Sequence, residues 1–132
     1  MTMIPDSHRD LLTGEVVLAT LGPDSQPQVT AIVSRLADDG TIEFSLNSSR
    51  QKLKNIQKNP RVTVFRADPE TPMRTIEVRA KAALFADPGK VWSQEFGKQF
   101  GFDMDSFDGP DDLRIKVVLT PEAVNVLPPA GH

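Results

Sequence analysis

The segment Phe44-Ser-Leu-Asn-Ser-Ser-Arg-Gln-Lys-Leu-Lys-Asn-Ile-Gln-Lys-Asn-Pro-Arg-Val-Thr-Val-Phe-Arg-Ala67 carries Arg50, Lys52, Lys54, Lys58, Arg61 and Arg66 and no acid. The whole chain has a net charge of −3, so the remainder carries −9. Asn47-Ser48-Ser49 reads as a helix cap, and Arg50 to Lys58 as the short helix that follows. Arg50 and Lys52 then fall in the first turn, where free N–H groups and the positive end of the helix dipole disfavour cations. An anion reverses the sign of that penalty. Hydroxyls, N–H groups and two cations at one helix start are the ingredients of a phosphate site. Cations also occur at helix starts without an anion, and that reading stays open. On the helical wheel Leu53 and Ile56 define the buried face, and Arg50, Lys52 and Asn55 flank it. Lys54 and Lys58 lie on the far side, in solvent.

Outward from this segment the chain reads as strands. Thr41 to Leu46 alternates, with Ile42, Phe44 and Leu46 on one face and Thr41, Glu43 and Ser45 on the other. Asp39-Gly40 is a hairpin signal that joins it to Gln28–Leu36. Glu15–Leu21 precedes, ended by the turn residues Gly22-Pro23-Asp24-Ser25. Ile4–Leu12 reads as a short N-terminal helix. Downstream, Arg61–Arg66 and Arg74–Leu84 are strands, and Pro88–Phe100 is a helix capped by Asp87, with Trp92 and Phe96 packed on the body. Gly101–Asp112 is an acidic loop; Asp103–Asp108 lacks the later Glu of a calcium loop, Phe107 stands in a bad position for a ligand, and the stretch reads as an ordinary acidic loop. Arg114–Thr120 is a sixth strand and Ala123–Leu127 a seventh. Strands joined by tight turns with helices as inserts predict a mainly β, single-domain antiparallel barrel, residues 1–132, with peripheral helices.

At 132 residues the chain is long enough for one domain. It has no Cys, so disulfides, thiolate nucleophiles and cysteine metal sites are excluded. His8 and His132 are the two histidines, one near each end, and both read as surface residues. No metal site is expected. No apolar run approaches membrane-spanning length, and the charged residues of Met1–Leu12 spoil a signal peptide, so the chain reads as cytoplasmic. The acidic balance argues against nucleic acid as the main partner.

Two motifs carry a resemblance. Leu18-Ala-Thr-Leu-Gly-Pro-Asp-Ser-Gln-Pro-Gln-Val-Thr30 is similar to the opening hairpin of the pyridoxamine 5′-phosphate oxidase-like split-barrel flavoproteins. Ser49 to Pro60 resembles their cofactor-phosphate segment, Arg-x-Lys-x-x-Asn-(Leu/Ile)-x-x-(Asn/Asp)-Pro. Arg74–Ala80 and the tail with Asp108-Gly-Pro, Arg114 and Val117 follow in the family's order. The form of the cationic segment is closest to the branch that binds the deazaflavin coenzyme F420. The Arg-x-His substrate motif of the pyridoxamine phosphate oxidases themselves is missing, and Thr30-Ala-Ile-Val-Ser34 departs from the branch's aromatic pattern.

The resemblance implies an FMN-binding-type split barrel of six to seven strands and a homodimer with two sites at the subunit interface. It implies hydride transfer between coenzyme F420 and a small unsaturated organic substrate, with FMN as the alternative cofactor. Arg50 and Lys52 would hold the phosphate and Asn55 would fix the helix. Gln28, Val29, Thr30 and Ala31 would run beside the ring system, Ser45 and Leu46 would line the same groove, and Arg74 would reach the ring end across the interface. No catalytic acid is visible, since the cofactor itself carries the hydride. Two rival readings remain at this point: a flavin or deazaflavin carrier without turnover, and a polyanion-binding module. The absence of Tyr leaves few stacking platforms for the latter on nucleic acid.

Overall fold

Six strands close into an antiparallel barrel in the order β1-β2-β3-β6-β5-β4. The computed structural model describes residues 4–129. The strands are β1 (Gly14–Leu21), β2 (Pro27–Leu36), β3 (Ile42–Asn47), β4 (Arg61–Ala67), β5 (Thr75–Ala86) and β6 (Arg114–Leu127). Two helices are inserted, α1 (Gln51–Lys58) between β3 and β4, and α2 (Val91–Gln99) between β5 and β6. A 3-10 helix, Asp6–Leu12, closes one end of the barrel.

The core follows from period-2 alternation. Val16 and Leu18 of β1, Ile42, Phe44 and Leu46 of β3, Val62 and Val64 of β4, Ile76 and Val78 of β5, and Val117 and Leu119 of β6 all point inward and are buried. Leu53 and Ile56 of α1 plug one end, as the helical wheel predicts. The polar face of β3 differs from expectation. Glu43 is buried because Arg35 lies across it, with Nε donating to Oε1 at 2.7 Å.

Three further expectations need correction. The sixth and seventh strands are one strand of fourteen residues. Pro121 interrupts the sequence pattern, but the register against β5 shifts between Arg79 and Ala80, so Glu122 forms a bulge and Pro121 needs no ladder donor there. The helix after β3 starts at Gln51, with Arg50 in the capping position and no side-chain cap. The polar triad before it has other partners: Asn47 Oδ1 accepts from the Ser49 amide and hydroxyl, and Ser48 Oγ accepts from the Leu113 amide. His8 is buried, its Nε2 donating to the Leu127 carbonyl at 2.8 Å, which ties the N-terminal turn to the end of β6. His132 lies outside the described residues.

The helix after β5 begins with a 3-10 turn, Pro88–Lys90, but Asp87 still caps α2. Its two carboxylate oxygens accept from the Trp92 and Ser93 amides at 3.0 and 2.7 Å. Trp92 stacks on Phe96 with ring centroids 5.0 Å apart. Among the described residues no helix is long and apolar enough to cross a membrane.

Phe44 is fully buried at the centre of β3. Phe44→Ala is expected to lower unfolding free energy by about 3–5 kcal/mol, the cost of emptying a large core site. Urea titration followed by far-UV circular dichroism checks it.

Candidate functional site

Two seams of the barrel are short: β1 and β4 pair at three positions, and β2 and β3 at the fewest. β1 and β2 pair along eight positions, whereas β2 and β3 pair at two, Arg35↔Glu43 and Leu36↔Ile42. Beyond that point the strands diverge, and the facing edge of β2 has no strand opposite. The divergence opens a cleft of ≈310 Å³, the size of a small-molecule site. Ala31, Ile32 and Val33 form one bank, and Ser45, Leu46 and Asn47 the other.

The roof comes from α2 and the acidic loop. Phe96 faces the cleft from α2, and Phe102, Met104 and Phe107 face it from the loop. Gly97 makes this possible, because a Cβ there would sit 2.9 Å from the Phe102 carbonyl and 3.2 Å from Met104. Phe102 and Phe107 meet edge to face at 6.0 Å.

Cations gather at one end. Arg50 and Lys52 of the α1 start and Arg114 of β6 all line the cleft. Lys52 has no acidic partner among the described residues, and its pKa is lowered by burial, with further repulsion from Arg50 and Arg114. Arg114 is 7 % exposed and gives Nε and Nη2 to Asp108 at 3.0 and 2.6 Å. Burial pushes the Asp108 carboxyl up, but hydrogen bonds from Arg114, Lys90 and Asn47 more than reverse this and hold it at about 2. Glu15 lines the cleft as well and is exposed.

Of the sequence-predicted residues, the cleft brings together Ala31, Ser45, Leu46, Arg50 and Lys52. Asn55 is placed behind it, buried, donating to Thr20 Oγ1 at 3.0 Å and Gln28 Oε1 at 2.8 Å and accepting from Gln51. Its amide ties α1 to the β1–β2 hairpin, and Gln28 is committed to the same contact. Val29 points outward on β2 and is 63 % exposed. Thr30 shares the face of β2 with Ile32 but is not among the residues that line the cleft. Arg74 does not line the cleft. It is held by Asp10 at 2.6 Å and Asp68 at 2.9 Å, and donates to the Ser7 carbonyl, near the N-terminal turn. The sequence reading missed Arg114, Asn47 and the three apolar loop residues as cleft components. The available signal was Phe102, Met104 and Phe107 spaced among the aspartates of an acidic loop.

A six-stranded antiparallel barrel with a cleft along an open seam, cations at one end of it, is a split barrel. The family profile for pyridoxamine 5′-phosphate oxidase matches residues 4–127, and the chain belongs to that family. Among solved structures it is similar to an F420 reductase, with 29 % identity over 92 % of this chain and 98 % of that one and a TM-score of 0.79. It shares the fold with HupZ of Group A Streptococcus, at 20 % identity, coverage of 95 % and 94 %, and a TM-score of 0.70. The heme storage protein HutZ of Vibrio cholerae has the same fold, at 18 % identity, 95 % coverage of each chain and a TM-score of 0.69. No curated protein matches the chain.

The lowered pKa of Lys52 sets a sign. The unfolded chain binds this proton more tightly, so charging Lys52 costs the empty fold stability at neutral pH. The cost is relieved as pH rises through the lowered value toward the ordinary 10.5. Lys52→Met is therefore expected to raise the melting temperature of the ligand-free protein at pH 7. The gain should shrink above pH 10. Differential scanning calorimetry at pH 7 and pH 10.5 tests both.

Proposed function

We propose that the protein is an oxidoreductase that uses coenzyme F420 to reduce a small unsaturated organic molecule. The observation that carries this is the half-buried ammonium of Lys52, set beside Arg50 and Arg114 with no acidic partner among the described residues, at one end of a cleft roofed by Phe96, Phe102, Met104 and Phe107. The likeness to an F420 reductase supports the choice of cofactor.

The donor set fits such a group. Arg50 and Lys52 offer charge-assisted hydrogen bonds to a phosphate. Ile32 and Leu46, with Phe96 and Met104 above, give apolar walls suited to a flat ring, and the unpaired edge of β2 gives backbone donors and acceptors along it. Bound there, the deazaflavin would supply the hydride-carrying carbon. The protein's part is orientation and exclusion of water by the apolar roof. FMN carries a phosphate that the same cations would accept, and it is the competing cofactor.

A homodimer is part of the proposal. On the outer face of β4-β1-β2, Val29 and Phe65 are exposed beside Val17, Ala19 and Ala31, a continuous apolar surface that runs to the lip of the cleft. A second copy covering this surface would complete the cleft wall. Arg74 would then approach the partner's site only by giving up Asp10 or Asp68.

Two outcomes are expected. Fluorescence titration should show coenzyme F420 binding in preference to FMN. Lys52→Ala and Arg50→Ala should each weaken it by about 1.5–3 kcal/mol, while Lys54→Ala leaves it within twofold. Displacement of bound F420 by equimolar FMN would make FMN the cofactor. Light scattering should give a dimer mass for the wild type and a monomer mass for Val29→Asp, whose far-UV spectrum stays native. A wild-type monomer at micromolar concentration would remove the dimer.

A further inference from the structure

We infer that Arg114 is a third ligand of the anion held by Arg50 and Lys52, through its Nη1 edge, and that Asp108 is the residue that positions it. The inference rests on the anion end of the cleft proposed above. Arg114 is more than nine-tenths buried and lines the cleft, yet its hydrogen-bonding capacity is only partly used. A guanidinium is a planar fork with five donors. Asp108 takes the Nε–Nη2 side in a two-point contact, at 3.0 and 2.6 Å. That contact fixes the plane and leaves Nη1 on the other side. There Nη1 meets one protein acceptor, Ser45 Oγ, at 3.4 Å, longer than an ordinary N–H···O bond of about 2.7–3.2 Å. Ser45 Oγ is itself 2.7 Å from Ser93 Oγ, so its stronger hydrogen bond lies elsewhere.

The surrounding charge favours the same conclusion. Asp108 is shared between Arg114 and Lys90, with Lys90 Nζ 2.9 Å from Oδ2, so one carboxylate faces two cations. Arg114 is close enough to Lys52 to disfavour its charge. A structural ion pair needs no such neighbour. An anion between Lys52 and Nη1 would turn this repulsion into two attractions and give Nη1 a full-strength acceptor. Phosphate oxygens match the chemistry, and inorganic phosphate and a phosphate-bearing cofactor share it.

The position of Arg114 follows from local structure. It pairs with Asn47 at the end of β3, three residues before Arg50. Ser48 and Leu113 exchange hydrogen bonds beside that pair. The first residue of β6 is thereby fixed against the turn that leads into α1.

The test measures inorganic phosphate binding by isothermal titration at 15 °C, well below unfolding, with F420 and FMN as separate titrants. The double variant Arg114→Gln/Asp108→Asn removes both charges and leaves no buried ion unpaired. It is expected to weaken phosphate binding by roughly tenfold to a hundredfold, the range for losing a charge-assisted hydrogen bond. Asp108→Asn alone keeps the cation but frees its orientation, and should weaken phosphate binding several-fold. A purely structural role would lower its melting temperature and leave the phosphate dissociation constant unchanged. Lys54→Gln should bind as the wild type does. Wild-type phosphate affinity in the double variant, or a wild type that binds no phosphate, overturns the inference. A wild type that binds phosphate in an Arg114-dependent way but binds neither F420 nor FMN upholds it and removes the cofactor reading.

Discussion

The divergence of β2 from β3 is the constraint on which the rest of the molecule depends. Backbone N–H and C=O groups seek partners; four of the six seams of this barrel supply them over six or more positions and the β1–β4 seam over three. At the sixth the ladder stops after Arg35↔Glu43 and Leu36↔Ile42. The Arg35–Glu43 pair fastens the closed end of that seam. Arg35 also reaches Gln99 and lies 5.3 Å over the Phe96 ring, so the same side chain anchors α2 above the opening. Past this fastening, Ser45 bonds to Ser93 of α2, and Asn47 bonds to Asp108 and Asp112 of the acidic loop. These contacts draw the end of β3 toward the helix and loop.

Asp108 holds the other side of the cleft together. Its side chain is 1 % exposed and receives hydrogen bonds from Arg114 of β6 and Asn47 of β3, while Lys90, in the turn before α2, forms an ion pair with it. One carboxylate therefore ties together three segments that are distant in sequence. Because its folded pKa is depressed to about 2, the stability it contributes is fully present above its ordinary value of 3.8 and disappears as pH falls through the folded value. The acidic loop is largely exposed, yet two of its aspartates, Asp108 and Asp112, accept from Asn47, and Phe102, Met104 and Phe107 line the cleft.

The sequence was most legible where the signal is local. Alternation placed the β3 and β5 core faces, Asp39-Gly40 marked its hairpin, and Asp87 capped α2 as its position suggests. The cationic segment pointed to the cleft through Arg50 and Lys52. What escaped depends on partners far along the chain. Asn47, Ser48 and Ser49 look like a cap until Leu113, Asp108 and Asp112 arrive to claim two of them. His8 looks like a surface histidine until the Leu127 carbonyl, 119 residues away, buries it. Pro121 looks like the end of a strand because a bulge is a property of two strands, not one. Arg114 is an ordinary strand-start arginine in one dimension, and its burial against Asp108 exists only after the loop has folded back.

The cleft illustrates a conflict between stability and binding. A fold selected for stability alone would not leave a half-buried lysine beside two arginines, or a buried guanidinium with a slack hydrogen bond. Here both groups line the same cleft, and an anion bound there, as proposed, would relieve both. A ligand that binds the folded state and not the unfolded chain stabilises it in proportion to the logarithm of its concentration over its dissociation constant. Repulsion in the empty cleft and attraction in the filled one are therefore two readings of one charge arrangement. Asn55 shows the contrast from the other side of α1. Its amide is fully engaged by Gln51, Thr20 and Gln28, so it anchors the helix without needing a ligand. The cations one turn away hang on that anchor, and their unbalanced charge can be held in place because the helix beneath them is satisfied.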